Sequence, residues 1–129
     1  MKLQELPGSY TILKLSPREA VPAWATQGSF FSVSKTRMEL SIVCETAYVP
    51  EQIETRSDDW RCLRVEGLLD FAQTGILSSI AGPLARAKIS IFAVSTFNTD
   101  YILVKSDSLA RAKEALMKSG VSCAPEAPL

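Results

Sequence analysis

Apolar and polar positions alternate or recur along this chain in two distinct periods, and each stretch reads as one element. Residues 61–67 place Leu63 and Val65 on one side and Arg64 and Glu66 on the other, the two-residue period of a half-buried strand. Over 75–88 the apolar residues Ile76, Leu77, Ile80, Leu84 and Ala87 recur at helical spacing, with Thr74 placed to cap the start. Pro83 lies late in that helix and is expected to kink it or open a separate last turn, because it removes one main-chain donor. An Ile-, Phe- and Val-rich strand at 89–97, a turn at Asn98 and Thr99 and a strand at 101–105 form a hairpin. Helical spacing returns over 107–118 through Leu109, Ala112 and Leu116, and Gly120 ends it. A last edge strand is expected near Val121 to Cys123.

The first half reads as a weaker copy of the second. Shifted by 61 residues, Ser29, Phe31, Val33 and Ser34 fall on Ser90, Phe92, Val94 and Ser95, while Pro22 falls on Pro83 and Val43 on Val104. Glu39 then meets Asp100. This half is expected to hold strands at 9–15, 29–35 and 39–46, a short helical segment near 18–25 broken by Pro22, and about a turn of helix from Val49 to Ile53. Residues 54–59, polar and aperiodic, are the expected junction, so that 1–59 is a degenerate N-terminal module and 60–129 a second, fuller one. Two right-handed crossovers on an antiparallel sheet define the expected class: α+β, a ferredoxin-like βαββαβ unit repeated in tandem.

Composition narrows the function. The 129 residues carry 14 basic and 14 acidic side chains without a run of one sign, which disfavours a nucleic-acid backbone or an anionic membrane surface as partner. No apolar stretch reaches the ~18 residues of a spanning helix and the N-terminus has no signal-peptide core, so a cytoplasmic protein is expected. Cys44, Cys62 and Cys123 are odd in number and widely spaced, which fits reduced thiols, at least two of them in strands, and not a disulfide framework or a zinc site. Histidine is absent, and with it the usual general base and the usual metal ligand. No Gly-rich phosphate loop, nucleophile elbow or HExxH is present, so no catalysis, cofactor or metal is expected.

Two segments hold candidate binding chemistry. In the join from Gly67 to Ile76 a helix begins, and its first free N–H groups together with the positive end of its dipole suit a carboxylate. Gly75 lets a ligand approach the main chain, and Asp70 upstream offers a partner for an ammonium group. A zwitterionic amino acid carries both charges. The bland reading makes Asp70 a solvated or capping residue and Gly75 a relief from crowding. The strip Ser95-Thr96-Phe97-Asn98-Thr99-Asp100 combines hydroxyls, an aromatic face and a carboxylate, or is simply a polar hairpin tip.

The strings Val65-Glu66-Gly67, Leu69-Asp70-Phe71, Thr74-Gly75-Ile76-Leu77, Pro83-Leu84-Ala85, Ile89-Ser90-Ile91-Phe92 and 95–104 resemble the ACT-domain family. The likeness is to its short stand-alone tandem members in bacteria and to the ACT modules of cytosolic arginine sensors and of aspartate kinase. Pro22-Ala23-Trp24-Ala25, Phe30-Phe31-Ser32-Val33 and 39–43 are similar to the family's first module. The resemblance implies a regulatory protein that binds an amino acid or similar effector at module interfaces. Carried over by position, it assigns Asp70, Thr74, Gly75 and Ile76 as loop contacts and Thr96, Phe97 and Asp100 as facing contacts. It also implies a homo-oligomer, a dimer being favoured, and a target enzyme as a further partner. Asn98, Leu68 and Ala72-Gln73 depart from the residues usual in the family at those places. The alternative reading is an interaction or oligomerisation module that has lost its ligand.

Overall fold

The computed structural model describes residues 1–67 and 74–125, which form two units. One comprises residues 8–60; the other joins residues 1–7 to the chain from Arg61 onward. The second is mixed α+β, while the first holds strands and 3-10 turns and, among the described residues, no α-helix.

In the unit of residues 1–7 and 61 onward, strand β1 is Lys2–Glu5 and the second half of β5 (Arg56–Val65) is its neighbour. Helix α1 (Ile76–Arg86), strands β6 (Ile91–Ser95) and β7 (Asp100–Lys105), helix α2 (Leu109–Lys118) and strand β8 (Ser122–Pro125) follow. The strand order is β6-β7-β5-β1-β8. Strand β1 runs antiparallel to β5, with Leu3 opposite Val65, and parallel to β8, with Leu3 opposite Cys123. Nothing in the hydrophobic pattern announces this four-residue strand, which lies between β5 and β8. The expected last strand exists and forms the edge beyond β1.

One core closes this unit. Leu3, Leu63, Val65, Ile102 and Val104 from the strands meet Ile80 and Leu84 of α1 and Ala112 and Leu116 of α2. The alternation at 63–65 therefore turns as expected, with Leu63 and Val65 buried and Arg64 half-buried. The α1 period holds through Ile76, Ile80, Leu84 and Ala87, but Leu77 faces outward at 37% exposure. The helix continues through Pro83, whose ring is itself buried. Its cap is not Thr74: Gly75 occupies that position with φ of 81°, and no side chain makes the capping bond. A residue in this left-handed conformation is most easily a glycine.

In the unit of residues 8–60, strands β2 (Tyr10–Leu15), β3 (Ser32–Lys35) and β4 (Leu40–Glu45) join the first half of β5 in the order β3-β4-β2-β5. All its pairings are antiparallel. No α-helix forms near 18–25 or at 49–53. Instead, 3-10 turns stand at Ala23–Thr26, directly after Pro22, and at Thr46–Tyr48. Prolines at 17, 22 and 50 withhold the main-chain donors that a longer helix needs. One cluster of its core is formed by Leu13, Ala25, Leu40, Ile42, Cys44 and Val49, with Trp24 and Ile53 against it.

Residues 54–59 are not a loop, because β5 begins at Arg56. The strand carries an irregularity instead: its pairing with β2 shifts register between Tyr10 and Ile12, and Asp59 takes φ of 65°. Such a bulge lets one strand change direction without ending.

The hairpins of the two units match at an offset of 60 residues, from Leu40 to Asp100, and the 3-10 turns after them match at the same offset, from Thr46 to Ser106. Buried residues 42–44 then coincide with buried residues 102–104. The offset of 61 read from residue identities is one too many for these strands. In a strand a slip of one residue exchanges the two faces, so identities that coincide at 61 do not occupy equivalent sides.

Candidate functional site

The expected site draws on the start of α1 and the tip of the β6–β7 hairpin. Asp70 lies outside the described residues. Thr74 and Gly75 are exposed, whereas Ile76 is half-buried and packs against the core. The Gly75 carbonyl accepts the Ser79 N–H at 2.8 Å and the Ser79 hydroxyl at 2.7 Å. The N–H groups of Ile76, Leu77 and Ser78 open the helix, where α-helix geometry leaves them without an intrahelical acceptor. A Cβ built at Gly75 meets nothing within 4 Å, so the main chain is open to approach.

At the hairpin tip the Thr96 N–H donates to the Thr99 carbonyl at 2.8 Å, closing the turn, and the Thr96 hydroxyl donates to the same carbonyl at 3.0 Å. Thr96 is thus a turn-forming residue. Phe97 is exposed at 78% and is the most outward aromatic side chain described. The Asp100 carboxylate accepts a bond from the Ser95 hydroxyl at 2.6 Å, across the pair that ends both strands.

Thr99 links the two segments. It is buried, and its hydroxyl donates to the Val65 carbonyl at 2.8 Å. Val65 ends β5, and the join to α1 starts immediately after it, so this bond fixes the hairpin tip beside the mouth of that loop. Thr99 was not among the assigned contacts. Its sequence signal, a hydroxyl in a polar turn, does not distinguish it from Thr96; only its burial does.

The chemistry available is that of recognition: main-chain donors, hydroxyls, a carboxylate and an aromatic face. No disulfide links the three thiols, and all lie in strands, as Cys44, Cys62 and Cys123 of β4, β5 and β8. Burial pushes the Cys44 thiol up to about 11, reinforced by the Glu45 charge and opposed by Arg56. Burial also raises Cys123, with Lys113 opposing and Glu5 reinforcing. A thiol held protonated is a poor nucleophile. Among the described residues no group of three or more Cys, Asp and Glu is arranged to hold a metal ion, and no helix is long and apolar enough to cross a membrane.

Residues 55–118 match the ACT domain, and the chain belongs to the ACT-domain family. A second family, described as an N-terminal domain, matches residues 8–52. The chain is 36% identical over 111 residues to the cytosolic arginine sensor for mTORC1 subunit 1 of Bos taurus, a match that covers 79% of this chain and 34% of that protein. It therefore spans about a third of the length of the mammalian relatives it matches. A crystal structure from Agobacterium tumefaciens superposes with a TM-score of 0.92 at 41% identity, covering 98% of this chain and 94% of that one. The regulatory subunit of aspartate kinase from Thermus thermophilus superposes with a TM-score of 0.60 at 6% identity over 91% of this chain and 93% of its own, a likeness of fold alone.

Proposed function

We propose that this protein is a regulatory module that binds an amino acid without transforming it, built from two ACT-like, ferredoxin-like modules in tandem, 1–59 and 60–129 along the chain, with the strand of residues 2–5 completing the second. The α-carboxylate meets the free amides that open α1 beside Thr74, Gly75 and Ile76, and Asp70 takes the α-ammonium. Thr96, Phe97 and Asp100 face the ligand across the loop mouth, with Phe97 covering its side chain. The protein works in the cytoplasm as a homo-oligomer, a dimer being favoured, and passes the state of its site to a target enzyme.

The observation that carries this reading is the bond from Thr99 to the Val65 carbonyl, which ties the turn of the β6–β7 hairpin to the end of β5. Membership of the ACT family and the likeness to an arginine sensor supply the ligand class. The test is a thermal-shift panel of the twenty amino acids at millimolar concentration. At least one raises the melting temperature, since a ligand present at a hundred times its Kd stabilises the folded state by about 2.7 kcal/mol. Asp70→Ala and Asp100→Ala abolish that response and leave the fold intact. A flat panel defeats the reading.

A second reading, an interaction module without ligand, is favoured by the Ser95–Asp100 bond, which already engages the carboxylate, and by the outward Phe97. It predicts the flat panel and loss of self-association in Phe97→Ser.

A further inference from the structure

At the far end of the helix pair from Gly75, a groove of about 400 Å³ opens between the last turns of α1 and the exposed side of α2. Arg86, Arg111 and Lys118 line it with a single carboxylate, Glu114, over a floor that includes Pro83 and Ala115. Three cations around one concavity raise the local concentration of anions.

These cations differ in what already holds them. Arg111 donates to the Ala87 carbonyl at 2.8 Å, which satisfies the C-terminal end of α1 and fixes the Arg111 guanidinium on the groove wall. Lys118 pairs with Glu114 at 3.1 Å on an exposed turn, a contact of small worth that leaves the ammonium two more donors. The Arg86 side chain makes no hydrogen bond or ion pair among the described residues. Its guanidinium lies over Gly82, one turn earlier, where a Cβ would come within 3.3 Å of Nη1. The absence of a side chain at 82 therefore gives the Arg86 head a bed along the helix, beside the groove and with its donors unspent.

We infer that this groove binds a small polyanion, a phosphoryl or polycarboxylate metabolite, through the fork of Arg86 with Arg111 and Lys118 beside it. A planar guanidinium matches two oxygens of such a group at once, which an ammonium does not. The volume suits a small molecule. This site is separate from the amino-acid site proposed above and does not depend on it.

Isothermal titration at low ionic strength with inorganic phosphate, pyrophosphate and citrate, on the full chain and on Arg86→Gln, tests the inference. One probe binds the unaltered chain saturably at one per chain, more weakly as salt rises, and about tenfold more weakly in Arg86→Gln. Arg86→Lys restores only part of the affinity. Pyrophosphate over citrate identifies a phosphoryl ligand, and the reverse order a polycarboxylate. The amino-acid thermal-shift response is the same in Arg86→Gln as in the unaltered chain. Should Arg86→Gln fail to fold, Lys118→Gln, which breaks only the exposed pair with Glu114, carries the same comparison. Absence of saturable binding by all three probes, or equal affinity in the variant and the unaltered chain, overturns the inference.

Discussion

Glu5 and Lys113 are 108 residues apart in sequence, and the Lys113 ammonium donates to Glu5 Oε2 at 2.7 Å. The other carboxylate oxygen accepts from Arg61 at 2.9 Å. The Glu5 side chain is only 12% exposed, so one carboxylate on β1 ties together β5 and α2 from inside the unit. Removing one member of such a cluster leaves the others charged and poorly solvated. Glu5→Gln is expected to lower stability by about 2 to 3 kcal/mol, read as a shift in the urea midpoint without a change in slope. Lys113→Met, whose loss leaves Glu5 still paired with Arg61, costs less.

Strand β1 contributes Leu3, fully buried, to the core shared with α1 and α2. Leu3→Ala is expected to cost about 2 to 5 kcal/mol, the range for a buried leucine that leaves a cavity. Deleting residues 1–6 strips β8 of its paired neighbour and exposes one flank of β5. The deletion should therefore produce hydrogen exchange throughout β8 and α2 while the amides of β2 and β4 stay protected.

Thr11 is fully buried, and its hydroxyl donates to Asp58 at 2.6 Å and lies 2.8 Å from the Thr46 hydroxyl. Arg56 grips the same Asp58 through Nε and Nη2 and donates Nη1 to the Pro50 carbonyl. This network joins β2, β5 and the turns after β4. Thr11→Val keeps the shape and deletes the donor; it is expected to cost about 1 to 2 kcal/mol in chemical denaturation.

Gly75 and Gly28 both have positive φ, but their surroundings differ. At Gly75 a methyl group finds open space, so Gly75→Ala carries only the backbone strain, about 1 kcal/mol. At Gly28 a Cβ would fall 1.7 Å from Glu45 Oε2 and 3.1 Å from the Tyr48 ring, so Gly28→Ala must also displace the Glu45 carboxylate. Thermal melts should show the larger loss at Gly28; equal losses would sink this ranking.

Cys44 links pH to stability. Its folded thiol is raised from 9.0 to about 11, above the value in the unfolded chain, so its contribution is fully present below pH 9.0 and is lost as pH rises toward about 11. Cys44→Ser should flatten the fall in stability over that window. Alkylation at pH 8 under native conditions should leave Cys44 unlabelled, and prompt labelling would contradict the assignment.

Much of the local structure was legible without coordinates because it depends on residues close in the chain. Apolar spacing located α1 and α2 to within two residues at each end, an Ile-, Phe- and Val-rich run with its turn located the β6–β7 hairpin, and the repeat located β3 and β4. The site was legible only in its chemical ingredients. Which hydroxyl of the hairpin tip faces solvent and which bonds the end of β5 follows from burial, and burial is a property of the packed sheet.

What the chain by itself determined is therefore the kind and approximate position of its helices and hairpins, since the periods of 3.6 and 2 are written in neighbouring side chains. Tertiary structure alone decided three things. Strand β1 lies between β5 and β8, the two hairpins repeat at 60 and not 61 residues, and Thr99 bonds to Val65. Each is a pairing between distant segments. Backbone donors and acceptors are alike in every residue but proline, so the partner and register of a strand are set by the packing of side-chain faces and not by any local signal.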